Sequence, residues 1–315
     1  MSSDRFTFFK QSGWLVIATG ICGVFLIGVY PVVTGMPTTE LGIFVSLLRL
    51  FTILGIATSG LQIVMAQDAA AAISPEQTRT LRRTAAAVFR GIFLVWFAIL
   101  FVGAWGQPWL VGRLKITNPA ALWVTFGLVL AQLFLPFAQG LLQGTQNFAW
   151  YGWSIMLNGV GRFAAMIIAV LLLHGTSTAA LAAALLGLAA AVLVALWPSR
   201  GLLKGCSEPF NWGAWLKRVV PLSGGIGSSV FLMNADVLFV QSLIREQDSP
   251  FYSAVAMVGV GLVTFTTPMA AVMFPKLVRS VARSQGDNSL ALALFGTAVL
   301  GLMGALVCTA WPWLP

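Results

Sequence analysis

The sequence predicts an all-α polytopic membrane protein of about nine transmembrane helices, and three observations carry that reading. Charged residues are only 9% of the 315 and apolar ones 58%, with a mean hydropathy of +0.90, far from the balance of a water-soluble domain. Nearly the whole chain divides into stretches of about 20 apolar residues, the length that crosses a bilayer at 1.5 Å per residue. The basic residues gather in alternate connections between those stretches.

The predicted spans are 13–34, 41–66, 84–106, 120–138, 149–173, 177–197, 214–242, 251–274 and 289–310. Gly23, Pro136, Pro221 and Pro268 lie inside them without breaking the assignment, because neighbouring helices satisfy the backbone groups such residues free. The first span is a retained helix rather than a signal peptide, since no small-residue cleavage site follows it.

With the N-terminus cytoplasmic, the inner face collects Arg5, Lys10, Arg79, Arg82, Arg83, Arg90, Arg200, Lys204, Lys217, Arg218, Lys276, Arg279 and Arg283. The outer face receives only Arg113, Lys115 and Arg245. Basic loops beside anionic headgroups account for the net charge of +9, and no basic patch interleaved with stacking aromatics points to a nucleic-acid partner. Eleven of the twelve tryptophans fall near span ends, as aromatic belts do, leaving Trp96 deep in the third span. Cys22, Cys206 and Cys308 have no metal-ligand spacing, and neither a metal nor a disulfide is expected. The segment 67–83, with Ser74-Pro75-Glu76 ahead of Arg79, Arg82 and Arg83, is expected to lie on anionic lipid as an amphipathic connector. His174 is expected on a short outer turn.

A weak parallel repeat appears at an offset of 208 residues: 42–46 over 250–254, Gly60 over Pro268, Lys10 over Arg218. Six helices precede the second unit, so both units would enter the membrane in the same direction. The expected organisation is a complete six-helix lobe at 1–200, a cytoplasmic linker at 201–217 and the first three helices of a second lobe at 218–315. By this arithmetic a full second lobe would run to about residue 400, three helices further.

Three ionisable residues sit well inside the spans: Arg49, Arg162 and Asp236. Each costs about 2.5–3.5 kcal/mol at the centre of an isolated helix, so each should face the bundle interior or a wet cavity. Arg49 shares a helix face with Ser46, Thr52 and Gly60, a polar strip that either lines a lumen or ties helices together. Arg162 has Asn158 one turn before it and Ala165 and Ala169 after it, and either braces the first lobe or reaches a cavity. Asp236, in line with Gly225 and Ser229, either carries a proton or cation or neutralises an arginine across the cavity. Gln139 and Gln143 stand four apart near the cytoplasmic end of the fourth span, where helix capping is the leading expectation and sugar binding the alternative.

The basic connector, the run Gln139–Gly144, the Arg162 region, and Asp236 followed by Pro-Phe-Tyr-Ser-Ala at 250–254 together resemble the polysaccharide-export branch of the multidrug/oligosaccharidyl-lipid/polysaccharide (MOP) flippase superfamily. The resemblance spans the chain, although members carry twelve to fourteen helices. It implies no enzyme and no cofactor. It implies a flippase of the bacterial cytoplasmic membrane that moves a polyprenyl-diphosphate-linked oligosaccharide by alternating access, among membrane lipids and polysaccharide-assembly proteins. Arg49 is then the first candidate for the diphosphate headgroup and Arg162 the second, with Ser46 and Thr52 beside them, because guanidinium groups bind phosphate through charge-assisted, often bidentate bonds. One rival is a cation-coupled multidrug antiporter, which typically relies on an acid in the first helix; span 13–34 has none. Another is a membrane enzyme that polymerises or ligates lipid-linked glycans, disfavoured by short outer loops.

Overall fold

The computed structural model of the chain describes residues 2–113, 116–173, 175–203, 210–243, 268, 270–279 and 289–310. Among them there is no strand. The helices are α1 (Ser2–Val33), α2 (Thr38–Ala71), α3 (Pro75–Trp105), the short α4 (Gln107–Arg113), α5 (Ala120–Gly144), α6 (Phe148–Met166), α7 (Ser177–Leu203), α8 (Trp212–Leu243), α9 (residues 270–279) and α10 (Ser289–Ala310). Five described stretches are long and apolar enough to cross a bilayer: Phe9–Val33, Pro75–Trp105, Ala120–Gly144, Phe148–Leu172 and Ser177–Leu203. Predicted span 251–274 lies outside the described residues up to 267, as do Lys115, His174, Cys206 and Arg245.

Local chemistry sets the helix ends. Ser74 opens α3 with a capping box: its hydroxyl accepts from Gln77 N at 3.2 Å, and Gln77 Oε1 accepts from Ser74 N at 2.9 Å and Ile73 N at 3.0 Å. Pro75 follows at the first helical position, where its missing N–H has no intrahelical partner to lose. The three residues between α5 and α6 turn through Gln146, whose φ of 61° is left-handed, and Asn147 N closes the turn on Leu142 O at 2.8 Å. Toward its far end α6 widens into a π-helical stretch, Ile167–Leu172, closed by Gly175 N on Ala169 O at 2.9 Å.

Helices α1 to α7 pack as one bundle around α5 and α7, while α3 turns Leu94, Phe97, Phe101 and Val102 outward as a lipid-facing stripe. Lipid supplies little drive for helices to associate, so close backbone approach carries much of the packing. The Gly140-Leu-Leu-Gln-Gly144 run of α5 is the clearest case: a Cβ on Gly140 would lie 2.5 Å from Gln62 O, and one on Gly144 would strike Ala66 O. Phe89 and Phe93 of α3 each set their rings 5.0 Å from Phe134 of α5. Trp96, the tryptophan expected mid-span, donates Nε1 to Phe126 O at 2.8 Å and so buries its N–H with a partner.

Contacts between distant residues show the helices alternating in direction. Trp14 near the start of α1 donates to Phe148 O at the start of α6, and Gln62 in the second half of α2 meets Gln143 at the end of α5. At the other end Glu40 joins Thr117 and Ser177. The first end holds Lys10, Arg79, Arg82, Arg83, Arg200 and Arg218 and is called here the basic end.

Candidate functional site

The interior of the N-terminal bundle holds one described arginine, Arg162 of α6. Its Nε is buried without a hydrogen-bond partner, and its guanidinium carbon lies 5.4 Å from the centre of the Phe51 ring of α2. Asn158, one turn earlier on the same helix, has its Oδ1 buried and likewise unpartnered. The backbone beneath Arg162 is held tightly, since a Cβ on Gly187 of α7 would strike Arg162 N and come within 2.7 Å of its Cγ. Among the described residues no carboxylate lies within ion-pair distance of Arg162. Among the described residues Arg162 is thus a guanidinium near the middle of the Phe148–Leu172 stretch whose buried Nε has no hydrogen-bond partner.

The other predicted site residues are placed less fully. Arg49, Thr52 and Asp236 lie on α2 and α8, with side chains outside the described ones, and Ser46 is exposed. Gly60, on the strip expected either to line a lumen or to tie helices together, packs against Ser223 of α8, so the strip meets α8 at that end. None of these residues is brought to Arg162 by a described contact.

Gln139 and Gln143 correct an expectation, because neither caps a helix. Both are buried in a polar network. Gln139 Nε2 donates to Ser154 Oγ at 3.2 Å, and Ser154 passes a bond to Ala191 O of α7 at 3.1 Å. Gln62 Nε2 donates to Gln143 Oε1 at 3.2 Å and to Tyr151 Oη at 3.1 Å, while Gln143 Nε2 donates across to Ala271 O of α9 at 3.0 Å. Uncharged partners satisfy one another at this depth, as buried polar groups must.

Further contacts join the N-terminal bundle to the later helices. Asp68 and Arg218 form an ion pair at 2.8 Å, Arg218 also donates to Gln67 Oε1 at 3.2 Å, and Arg279 donates to Gly144 O at 3.4 Å. Burial raises the Asp68 carboxyl above its ordinary range, with hydrogen bonding and charge from Arg218 opposing that shift. Val272 packs in a cluster with Ala138, Leu142 and Tyr151, and Trp212 seats against Gly91. These named contacts all fall in the basic half of the molecule.

Sequence reasoning missed Glu40. Its carboxylate accepts from Thr117 Oγ1 and from Ser177 N, both at 2.8 Å, clasping the α1–α2 turn, the loop before α5 and the start of α7. Hydrogen bonding from Ser177 holds its carboxyl below the usual range against desolvation, with a smaller lowering from Thr117. An acid in the first turn of a helix beside a short loop was the available signal, but nothing local identifies its partners.

No family model and no curated protein sequence matches the chain. Solved structures share its fold. An outward-facing multidrug resistance MATE family transporter of the MOP superfamily gives a TM-score of 0.75 at 15% identity, over 98% of this chain and 72% of that one. A MATE structure in the straight conformation gives 0.73 at 15% identity, over 98% and 72%. A MOP superfamily transporter from Pyrococcus furiosus, described as having a binding pocket of reverse polarity, gives 0.71 at 13% identity, over 98% and 71%. The chain therefore carries the all-helical, multi-pass membrane fold of MOP superfamily transporters.

Proposed function

We propose that this protein is a transporter working by alternating access, in which a lobe at 1–200 and a second lobe beginning at 218 rock about the linker 201–217. The observation that carries the proposal is a seam of polar contacts: among the described residues, Arg218–Asp68, Gln143–Ala271 and Arg279–Gly144 join the N-terminal bundle to α8 and α9 at the basic end. Two halves joined at one end and able to part there have the geometry of alternating access.

Two cargo readings follow, each resting on its own observation. Multidrug export is favoured by the likeness to MATE structures. Export of a diphosphate-linked oligosaccharide is favoured by Arg162, an unpaired cation in the first bundle, and by the absence of any acid from Phe9–Val33. A diphosphate cannot cross hydrocarbon bare, and a buried guanidinium supplies charge-assisted bonds to it.

Thermal melting of the purified chain in nanodiscs, with a polyprenyl diphosphate or with ethidium, separates the two. For the oligosaccharide reading the diphosphate raises the melting temperature, ethidium does not, and Arg162→Ala abolishes the shift while Arg162→Lys retains part of it. A shift with ethidium alone, untouched by Arg162→Ala, establishes the multidrug reading instead.

A further inference from the structure

Helix α9 carries Pro275 in its interior, and proline has no N–H to give the carbonyl four residues earlier. That carbonyl belongs to Ala271. It is the same oxygen that Gln143 reaches from α5 at 3.0 Å, so the acceptor left open by Pro275 is filled from the opposite bundle. Gln143 is held for the task from behind: its Oε1 accepts from Gln62 of α2, whose amide also donates to the hydroxyl of buried Tyr151 of α6. Val272 beside it is fully buried, and Pro275 is buried as well.

We propose that Gln62, Gln143, Tyr151 and the Ala271 carbonyl exposed by Pro275 form the latch that holds the basic end closed. The proposal rests on the alternating-access reading. The chemistry suits a reversible gate. A half-buried carbonyl without its helical donor favours closure, because parting the bundles leaves it without Gln143 until water arrives. An uncharged amide gives it up more easily than an ion pair, whose separation at low dielectric leaves two bare charges. The Arg218–Asp68 pair closes the same seam nearer water, where such a pair holds weakly.

The test uses the full chain with Cys22, Cys206 and Cys308 replaced by serine and Val272→Cys as the reporter, labelled by a water-soluble maleimide. Gln143→Leu, which keeps bulk and removes the bond, should speed labelling about threefold to tenfold. Pro275→Ala should speed it in the same direction by a smaller factor, because it returns an intrahelical N–H to Ala271 O and competes with Gln143. This variant also strengthens α9, so looser folding would not explain its effect. Gln139→Leu cuts a bond wholly inside the N-terminal bundle and should leave the rate unchanged. Equal acceleration by Gln139→Leu, or none by Gln143→Leu, overturns the latch. A parent chain that labels to completion at a rate Gln143→Leu does not change loses the latch and keeps the rocking motion. Labelling only after denaturation, in every variant, removes both.

Discussion

Two single residues carry charges whose surroundings define different roles. Arg162 has an unpartnered Nε and, among the described residues, sets its guanidinium over the face of Phe51. Glu40 is the reverse, a carboxylate fully engaged by hydrogen bonds from two other segments. Its folded-state pKa is depressed, so the stability it adds is present above the unfolded value and lost as pH falls through the folded one. The expected outcome is a melting temperature that drops below about pH 4 in the parent chain. In Glu40→Gln that drop should be absent over the same window, with a lower melting temperature at pH 7. Differential scanning fluorimetry from pH 3 to 7 checks both, and identical profiles would remove Glu40 from the clasp.

At the scale of elements, the α2–α5 contact is a demanding joint, because Gly140 and Gly144 let the α2 backbone lie directly on α5. The same joint aligns Gln62 with Gln143, so packing and polar network depend on one approach distance. Gly140→Val should therefore lower stability by about 1–3 kcal/mol through overpacking. Gly201→Val should be near neutral, since nothing lies within 4 Å of a Cβ built there. Melting in detergent compares the two; equal stabilities would show that α2 and α5 have slack.

For the whole molecule, alternation of helix direction puts the α2–α3 connection, the α5–α6 turn and the start of α8 at the basic end, and the α1–α2 turn with Glu40, Thr117 and Ser177 at the other. The positive-inside bias predicts that the basic end faces the cytoplasm. Single cysteines at Ser74 and Ser207 should then be shielded from an impermeant thiol reagent in intact cells, and those at Thr38 and Ser249 should react. The reverse pattern would place the basic end outside and overturn the orientation.

The sequence alone determined that the chain is a bundle of apolar, membrane-crossing helices and where the five spans Phe9–Val33, Pro75–Trp105, Ala120–Gly144, Phe148–Leu172 and Ser177–Leu203 fall. Each follows from local quantities: lipid offers no hydrogen bonds, so apolar length by itself marks a crossing segment, and loop charge is additive. The capping box at Ser74 is local in the same sense, its partners being three residues apart, although the segment 67–83 reads from sequence only as an amphipathic connector. Only tertiary structure decided what the interior polar groups do. Gln143 looks like a helix-end residue until α2 and α9 arrive from 81 and 128 residues away. Glu40 looks like an ordinary first-turn acid until Ser177 arrives from 137 residues away. A polar side chain buried in a membrane bundle takes its meaning from its partner, and that partner is chosen by packing over the whole bundle. Pro275 shows both halves of the matter: sequence dictates that the Ala271 carbonyl lacks its helical donor, and the fold alone brings Gln143 to it.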